Sequence, residues 1–354
     1  MAAIVVTGAG GLIGAECVRR FGRKGYHVIG IDNDTRRVLF GTAASVHKTI
    51  QALRTASANY EHHDLDIRDC AGVAELFRRN QGQIAAVIHC AAQPSHDWAA
   101  QEPLVDFDIN ARATVGLLNA TKAYASAATF VYLSTNKVYG DAPNSLKYCD
   151  IGTRLEPFGD SHSRHDGFTE DTPIDTRLHS LFGCSKLAAD IYVQEYGLYY
   201  GMNTVCFRGG CLTGPGHAGA KQHGFLSYLL RCCVAEMPYE IIGYGGKQVR
   251  DNIHASDLVS AIEMFLEHPK PGAVYNIGGG RGNSCSILEA IALAEEVTGK
   301  KMRIAYREQP RIGDHIWWIT NTEKFRTDFP DWKIRKSLRD IIAEIAEASL
   351  TDGD

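Results

Sequence analysis

Short apolar runs alternate with helix-length amphipathic segments through the first two-thirds of the chain. Ala3–Thr7, His27–Asp32, Tyr60–His63, Ala85–His89, Phe130–Leu133 and Thr204–Phe207 read as strands. Between them Leu12–Lys24, Cys70–Asn80, Val105–Ala125 and Ser180–Tyr200 read as helices. Strands apolar at almost every position are covered on both faces, so the pattern predicts a doubly wound parallel sheet with helices packed on each side.

The pattern breaks after Phe207. Arg208–His223 is glycine-rich and carries a Gly-Pro-Gly turn, which reads as loop. A helix near Phe225–Glu236 follows, then strands near Tyr239–Ile242, Val249–Ile253 and Ala273–Ile277, the last two able to return to the large sheet or its rim. Helices Ser286–Thr298 and Ser337–Ala348 flank a last strand, Met302–Tyr306. The expected division is a first domain of residues 1–207 plus about 243–275, and a smaller α/β capping domain of about 208–242 plus 276–354. Ala142–Glu170 is polar and broken by proline and glycine, and reads as a long binding loop or lid, or else as partly disordered chain.

Composition narrows the function. A net charge of -4 supplies no basic field for a nucleic-acid backbone. No apolar run approaches the ~20 residues of a membrane helix, and the start of the chain reads as a strand rather than a secretory signal. The 10 cysteines include no Cys-x-x-Cys pair and sit mostly in apolar runs, as buried thiols of a cytoplasmic protein would. Asp160, His162, His165 and Asp166 cluster in the long loop, but their spacing fits a solvated loop better than a metal site.

Thr7-Gly8-Ala9-Gly10-Gly11-Leu12-Ile13-Gly14 joins the first strand to the first helix. Gly8 permits a tight turn, Gly11 lets backbone N–H groups, with those of Leu12 and Ile13, approach a pyrophosphate, and Gly14 allows close helix–strand packing. Asp32 ends the second strand, placed for the hydroxyls of an adenosine ribose and against the extra phosphate of NADP. NAD is therefore the expected cofactor, with Arg36 and Arg37 read as a solvated helix start. Asp66 and Ile67 after the third strand offer an acceptor and an apolar contact to adenine. Ala91, Ala92 and Gln93 after the fourth let backbone lie along the cofactor.

Leu133-Ser134-Thr135-Asn136-Lys137-Val138-Tyr139-Gly140 ends the fifth strand, and Gly183-Cys184-Ser185-Lys186 lies near the head of a later helix. With the glycine motif, and with Gly245–Asp251 and Tyr275–Gly279, these segments resemble extended short-chain dehydrogenases/reductases of Rossmann fold. The resemblance spans nearly the whole chain and is nearer still to CDP-tyvelose (CDP-paratose) 2-epimerases. It implies NAD-dependent inversion at C2 of a nucleotide sugar, a CDP-sugar above all, through a transient 2-keto intermediate. A 4-epimerase is the nearest enzymatic rival, and a non-catalytic sugar-nucleotide-binding protein the rival of another class. The resemblance also implies a homodimer through the Val105–Ala125 and Ser180–Tyr200 helices.

Residue by residue, the resemblance gives Thr135 a hydrogen bond to the reacting sugar oxygen and Lys186 the nicotinamide ribose. It gives Asn110 support of the site, and Arg250 the substrate diphosphate. Arg208, Asn276 and His223 are further substrate candidates, as are Asn136 and Lys137. These two stand where related 4,6-dehydratases carry an acidic pair and cannot replace it as acid and base, which disfavours a dehydratase. The departure is Phe182, at the position of the family's catalytic tyrosine. Phenyl keeps the ring and loses the ionisable oxygen, which removes about 10²–10⁴-fold of proton-transfer catalysis. A Tyr→Phe substitution that traps substrate, a variant using another base such as Tyr139 or a histidine, and a silent sensor all fit Phe182. His96 and Asp97, after the Ala-Ala-Gln turn, are placed to reach a sugar.

Overall fold

The computed structural model describes residues 1–160, 165–216, 224–311 and 313–351. Its chain divides into two compact units. The first comprises Met1–Val138, Leu181–Arg208 and Val259–Tyr275, and the second Tyr139–Ser180, Gly209–Leu258 and Asn276–Asp354.

The first unit is built on a seven-stranded sheet: β1 (Ala3–Thr7), β2 (His27–Ile31), β3 (Tyr60–His63), β4 (Ile84–His89), β5 (Thr129–Thr135), β6 (Thr204–Gly209) and β7 (Ala273–Ile277). The order is β3-β2-β1-β4-β5-β6-β7, and the pairings from β3 through β5 run parallel. This is the Rossmann arrangement the alternating pattern predicts, with the strand order reversing between β1 and β4. Every residue of β1 is buried, as a strand covered by helices on both faces requires. Val5, Ile29, Val87, Phe130 and Leu117 meet in one core.

One predicted helix is interrupted. Pro103–Phe107 and Ala113–Tyr124 are joined by a π turn, Asp108–Arg112, that buries Ile109, Asn110 and Ala111. A single wide turn of this kind re-aims a side chain and recurs at functional sites. Helices Thr35–Phe40, His47–Ala56 and Ala255–Glu267 lie outside the predicted set.

In the second unit Val249–His254 pairs antiparallel with Ser284–Ser286 and parallel with Trp317–Trp318 and Cys211–Thr213. It does not join the large sheet, so residues 243–258 belong with the second unit rather than the first. Residues 139–180 do too. They contain a hairpin, Tyr148–Asp150 with Leu155–Pro157, and Leu155 N donates to Lys247 O, so the expected loop is partly ordered sheet. Leu226, Leu230, Ile241, Ile291, Ile341 and Ile345 form this unit's core. No helix among the described residues is long and apolar enough to cross a membrane.

Candidate active site

The turn after β1 is set by what its glycines lack. Gly8 has φ +66°, and a Cβ there would lie 2.8 Å from Ala91 N. A Cβ on Gly14 would lie 2.0 Å from Gly8 O, so helix and strand approach this closely only without a side chain. Gly11 begins the twelve-residue helix Leu12–Arg23 with no side-chain cap. Its first-turn N–H groups are left for an anion, with the positive end of the helix dipole behind them. Leu12 is half-buried and Ile13 buried. Asp32 Oδ2 accepts from Gly10 N at 2.9 Å and Oδ1 from Asp34 N at 2.9 Å, which ties β2 to the turn. Burial raises the Asp32 pKa, and the two backbone bonds oppose that. Burial lowers the pKa of Arg36, while the Asp32 and Asp34 carboxylates pull it back up, so this arginine's charge is already answered by acids. These residues fit a dinucleotide with an unphosphorylated ribose.

Of three residues expected along the cofactor, Ile67 and Gln93 are buried in the protein, while Asp66 is half-exposed and paired with Arg68. The Asp66 carboxylate is forked by Arg68, with Nε at 3.0 and 3.1 Å, and takes Asn33 Nδ2 at 3.2 Å. The Arg68 bond lowers its pKa. Ile67 is part of the buried core. Gln93 is fully buried. Its Nε2 donates to Ser95 O at 2.9 Å and Asp106 Oδ1 at 2.7 Å, and its backbone N and O are bonded to Asn110 at 2.9 and 3.0 Å. It braces the loop after β4 instead of lining a ligand groove. Ala91 is half-buried and Ala92 exposed. Ala91 N–H donates to Thr7 Oγ1, which bonds His89 Nδ1 at 2.7 Å. His89 Nε2 bonds Thr114 Oγ1 at 2.9 Å, and Thr114 donates to Asn110 O. Since Thr114 gives its proton to a carbonyl, it accepts from Nε2–H, and Nδ1 accepts from Thr7. The network thus assigns a neutral imidazole, and burial holds its pKa down at about 3.

At the end of β5, Thr135 Oγ1 accepts from Lys137 N at 3.2 Å and reaches Asn136 Oδ1 at 3.4 Å. Asn136 is buried and Lys137 half-buried. Lys186 comes in from the helix Ser180–Tyr200. It is 3% exposed, with Nζ donating to Leu133 O at 2.7 Å and lying 4.1 Å from the Tyr132 ring centre. Burial pulls its pKa down to about 8, and the Asp190 charge one turn along resists the fall. Asn110, turned inward by the π turn, donates to Asp106 Oδ1 at 3.0 Å and Ser185 Oγ at 3.1 Å. Ser185 donates in turn to Phe182 O at 3.0 Å. The Phe182 ring lies 5.0 Å from that of His96, tilted by 60°.

Arg208 is not a substrate group here. Its Nε and Nη2 clasp the Asp190 carboxylate at 3.1 and 2.7 Å, with both side chains buried. Ser134 Oγ also donates to Asp190. Asp190 went unnoticed in the sequence, although a carboxylate four residues after Lys186 shares its helix face.

In the second unit Asn276 is likewise taken up. Its Oδ1 accepts from the buried Tyr139 hydroxyl at 2.8 Å and its Nδ2 donates to Phe168 O at 3.0 Å, so it presents nothing to a ligand. Tyr139 stacks on Trp318 with ring centres 5.6 Å apart and is buried. Arg250 donates from Nη1 to Val249 O at 2.8 Å. Two acids close to it in sequence accept from other groups: Asp251 from Gly280 N and Thr320 N, and Asp257 from Arg335 N and Lys336 N. His223 and His162 lie outside the described residues, and His165 faces Asp166 at 3.5 Å on the surface.

The fold defines a dinucleotide-binding class of α/β protein. Residues 4–278 match the NAD dependent epimerase/dehydratase family, and the chain belongs to it. A CDP-paratose 2-epimerase from Salmonella typhi is 31% identical over 345 residues, covering 95% of this chain and 96% of that protein. A dTDP-glucose 4,6-dehydratase from Salmonella typhimurium is 28% identical over 321 residues, 86% of this chain and 80% of that one. The structure of UDP-glucose 4-epimerase from Bifidobacterium longum in complex with NAD+ and UDP matches with a TM-score of 0.80 at 22% identity, covering 99% of each chain.

Proposed function

We propose that this chain is an NAD-dependent epimerase that inverts C2 of a CDP-linked (deoxy)hexose through a transient 2-keto sugar. The observation that carries this reading is the 31% identity, sustained over 95% of the chain, to a CDP-paratose 2-epimerase. Asn136 and Lys137 support it by lacking the acid and base that water elimination needs.

Bound NAD supplies the hydride acceptor and, in the return step, the hydride donor. The Gly8–Gly14 turn and the head of its helix hold the pyrophosphate, and Asp32 accepts from the adenosine ribose hydroxyls. Lys186 has two further N–H groups beyond its bond to Leu133 O, enough for the nicotinamide ribose. Thr135 Oγ1 orients the reacting sugar oxygen. Asn110 supports these parts without touching substrate, by fixing the loop after β4 to the helix that carries Lys186. Arg250 is the second unit's candidate for a diphosphate, since a guanidinium meets phosphate oxygens bidentately. Cytoplasmic location and a homodimer belong to the same reading. The dimer is supported by Leu104, Phe107, Leu181, Tyr192, Leu198 and Tyr199, all exposed on the helices Pro103–Phe107 and Ser180–Tyr200.

Incubating the NAD-loaded protein with CDP-paratose and with UDP- and dTDP-hexoses, then finding the inverted carbon by NMR, tests the assignment. C2 inversion of the CDP-sugar is expected. Inversion at C4 of a UDP-sugar would replace it with a 4-epimerase, and tight binding without hydride exchange by both this chain and its Phe182→Tyr variant would leave a binding protein.

A further inference from the structure

We infer that His96 accepts the proton of the reacting sugar hydroxyl, taking over the task that a phenol would perform at position 182. The inference rests on the epimerase reading above and names the base that reading lacks.

A phenyl ring has no atom that accepts a proton. A group with such an atom beside it is His96, whose imidazole centre is 5.0 Å from the centre of the Phe182 ring. That is close enough for an imidazole nitrogen to reach a hydroxyl lying against the edge of the phenyl. His96 opens the helix His96–Gln101, just past the carboxyl end of β4, where ligands of open α/β sheets bind. Imidazole is also the side chain whose ordinary pKa falls nearest neutrality, which suits a base that must take and return a proton.

The pairing of the two rings is held by buried hydrogen bonds. Ser95 caps the His96 helix by accepting from Trp98 N at 3.2 Å, and the Gln93 amide bonds both backbone groups of Ser95. Asn110 grips the Gln93 backbone and also reaches Ser185 Oγ, which is bonded to Phe182 O. One continuous network therefore fixes the loop that presents His96 and the turn that presents Phe182.

Five other groups that could take a proton are buried, distant or already bonded. His89 is buried between two threonines. His62 and His63 end β3, at the far edge of the sheet from β5. Asp190 is clasped by Arg208, and Asp106 by Gln93 and Asn110.

The step balances without any added reagent. The sugar O–H bond breaks and its proton goes to a His96 ring nitrogen. The electron pair left on oxygen forms the second carbonyl bond as the hydrogen on carbon departs with its own pair to the oxidised coenzyme. In the return half the hydride comes back to the opposite face and His96 returns the proton to the alkoxide, so no net oxidation occurs.

The test compares this chain with His96→Gln, Phe182→Tyr and the double variant, each checked for NAD content and for CDP-sugar binding. His96→Gln is expected to lower turnover about 10²–10⁴-fold with both binding readouts unchanged, and Phe182→Tyr is expected to restore much of it in the double variant. The starting protein's activity should fall as pH drops through the imidazole range, and the double variant should lose that limb. Free imidazole should partly rescue His96→Ala. Turnover by His96→Gln equal to that of the starting protein overturns the assignment, as does a silent starting protein beside an active Phe182→Tyr. Inversion at another carbon changes the substrate reading alone, because the His96 comparison is still decided on that substrate. Silence of all four with NAD bound brings down the epimerase reading itself, and this inference with it.

Discussion

Lys186 is held in a place that costs it stability. Its ammonium keeps the Leu133 carbonyl, the Tyr132 ring face and the charge of Asp190, yet burial still wins and its pKa falls to about 8. The folded-state pKa lies below the ordinary lysine value of 10.5, so between pH 8 and 10.5 the native protein binds fewer protons than the unfolded chain. Stability contributed by this group therefore rises with pH across that window, and at pH 7 the buried charge costs on the order of 3 kcal/mol. Lys186→Met is expected to abolish turnover while raising the melting temperature at pH 7, with the gain shrinking toward pH 10. Thermal melts at both pH values check this, and a lower melting temperature at pH 7 would show that the Asp190 contact outweighs burial. Such a trade is usual where a charged group is kept for chemistry. Asp190 fits the same account: it faces Lys186 one turn away and is itself balanced by Arg208.

The strand–turn–helix unit at the start of the chain was fully legible beforehand. Its geometry is local, written in consecutive glycines between an apolar run and an amphipathic one. Gly14→Ala sets a methyl against the Gly8 carbonyl, a backbone atom that no rotamer change can move aside. The expected result is a loss of about 3 kcal/mol or more in denaturant unfolding, together with weakened NAD uptake in a fluorescence titration. Near-normal NAD affinity in a stable Gly14→Ala protein would remove the cradle from the account. Other segments were less legible. Val249–His254 carries Arg250, Asp251, Asn252 and His254 among its six residues, so its pattern assigns it to neither sheet, and only its pairing with Cys211–Thr213, Ser284–Ser286 and Trp317–Trp318 placed it in the second unit. The π turn at Asp108–Arg112 was read as uninterrupted helix, because one extra residue in a turn hardly alters the apolar periodicity. The hairpin within residues 148–157 was hidden by its short strands and by the glycine and polar residues around it.

The expectation of a dimer rests on what the surface leaves uncovered. Tyr199 is 77% and Leu198 66% exposed on the last turns of the helix Ser180–Tyr200, and Leu104 is 81% exposed on Pro103–Phe107. Large apolar side chains left uncovered on both helices suit an interaction surface. Sedimentation is expected to find a dimer, and Leu198→Glu with Tyr199→Glu to give a folded monomer. A monomer in the unmutated protein would withdraw that expectation.

Neighbours along the chain determined the glycine turn between strand and helix and the acid after β2, because each depends on short-range geometry, while Thr135 and Lys186 were named by resemblance to a family motif. The folded arrangement alone decided which polar groups were available. Arg208, Asn276 and Gln93 all have the chemistry of ligand-binding residues, but Asp190, Tyr139 and Asn110 claim them from elsewhere in the chain. A buried polar group must find a partner, and a sequence names the groups without saying which will meet. For the same reason no reading of Phe182 in isolation could put an imidazole beside it. That contact exists because two segments 86 positions apart are fastened to one inward-turned asparagine.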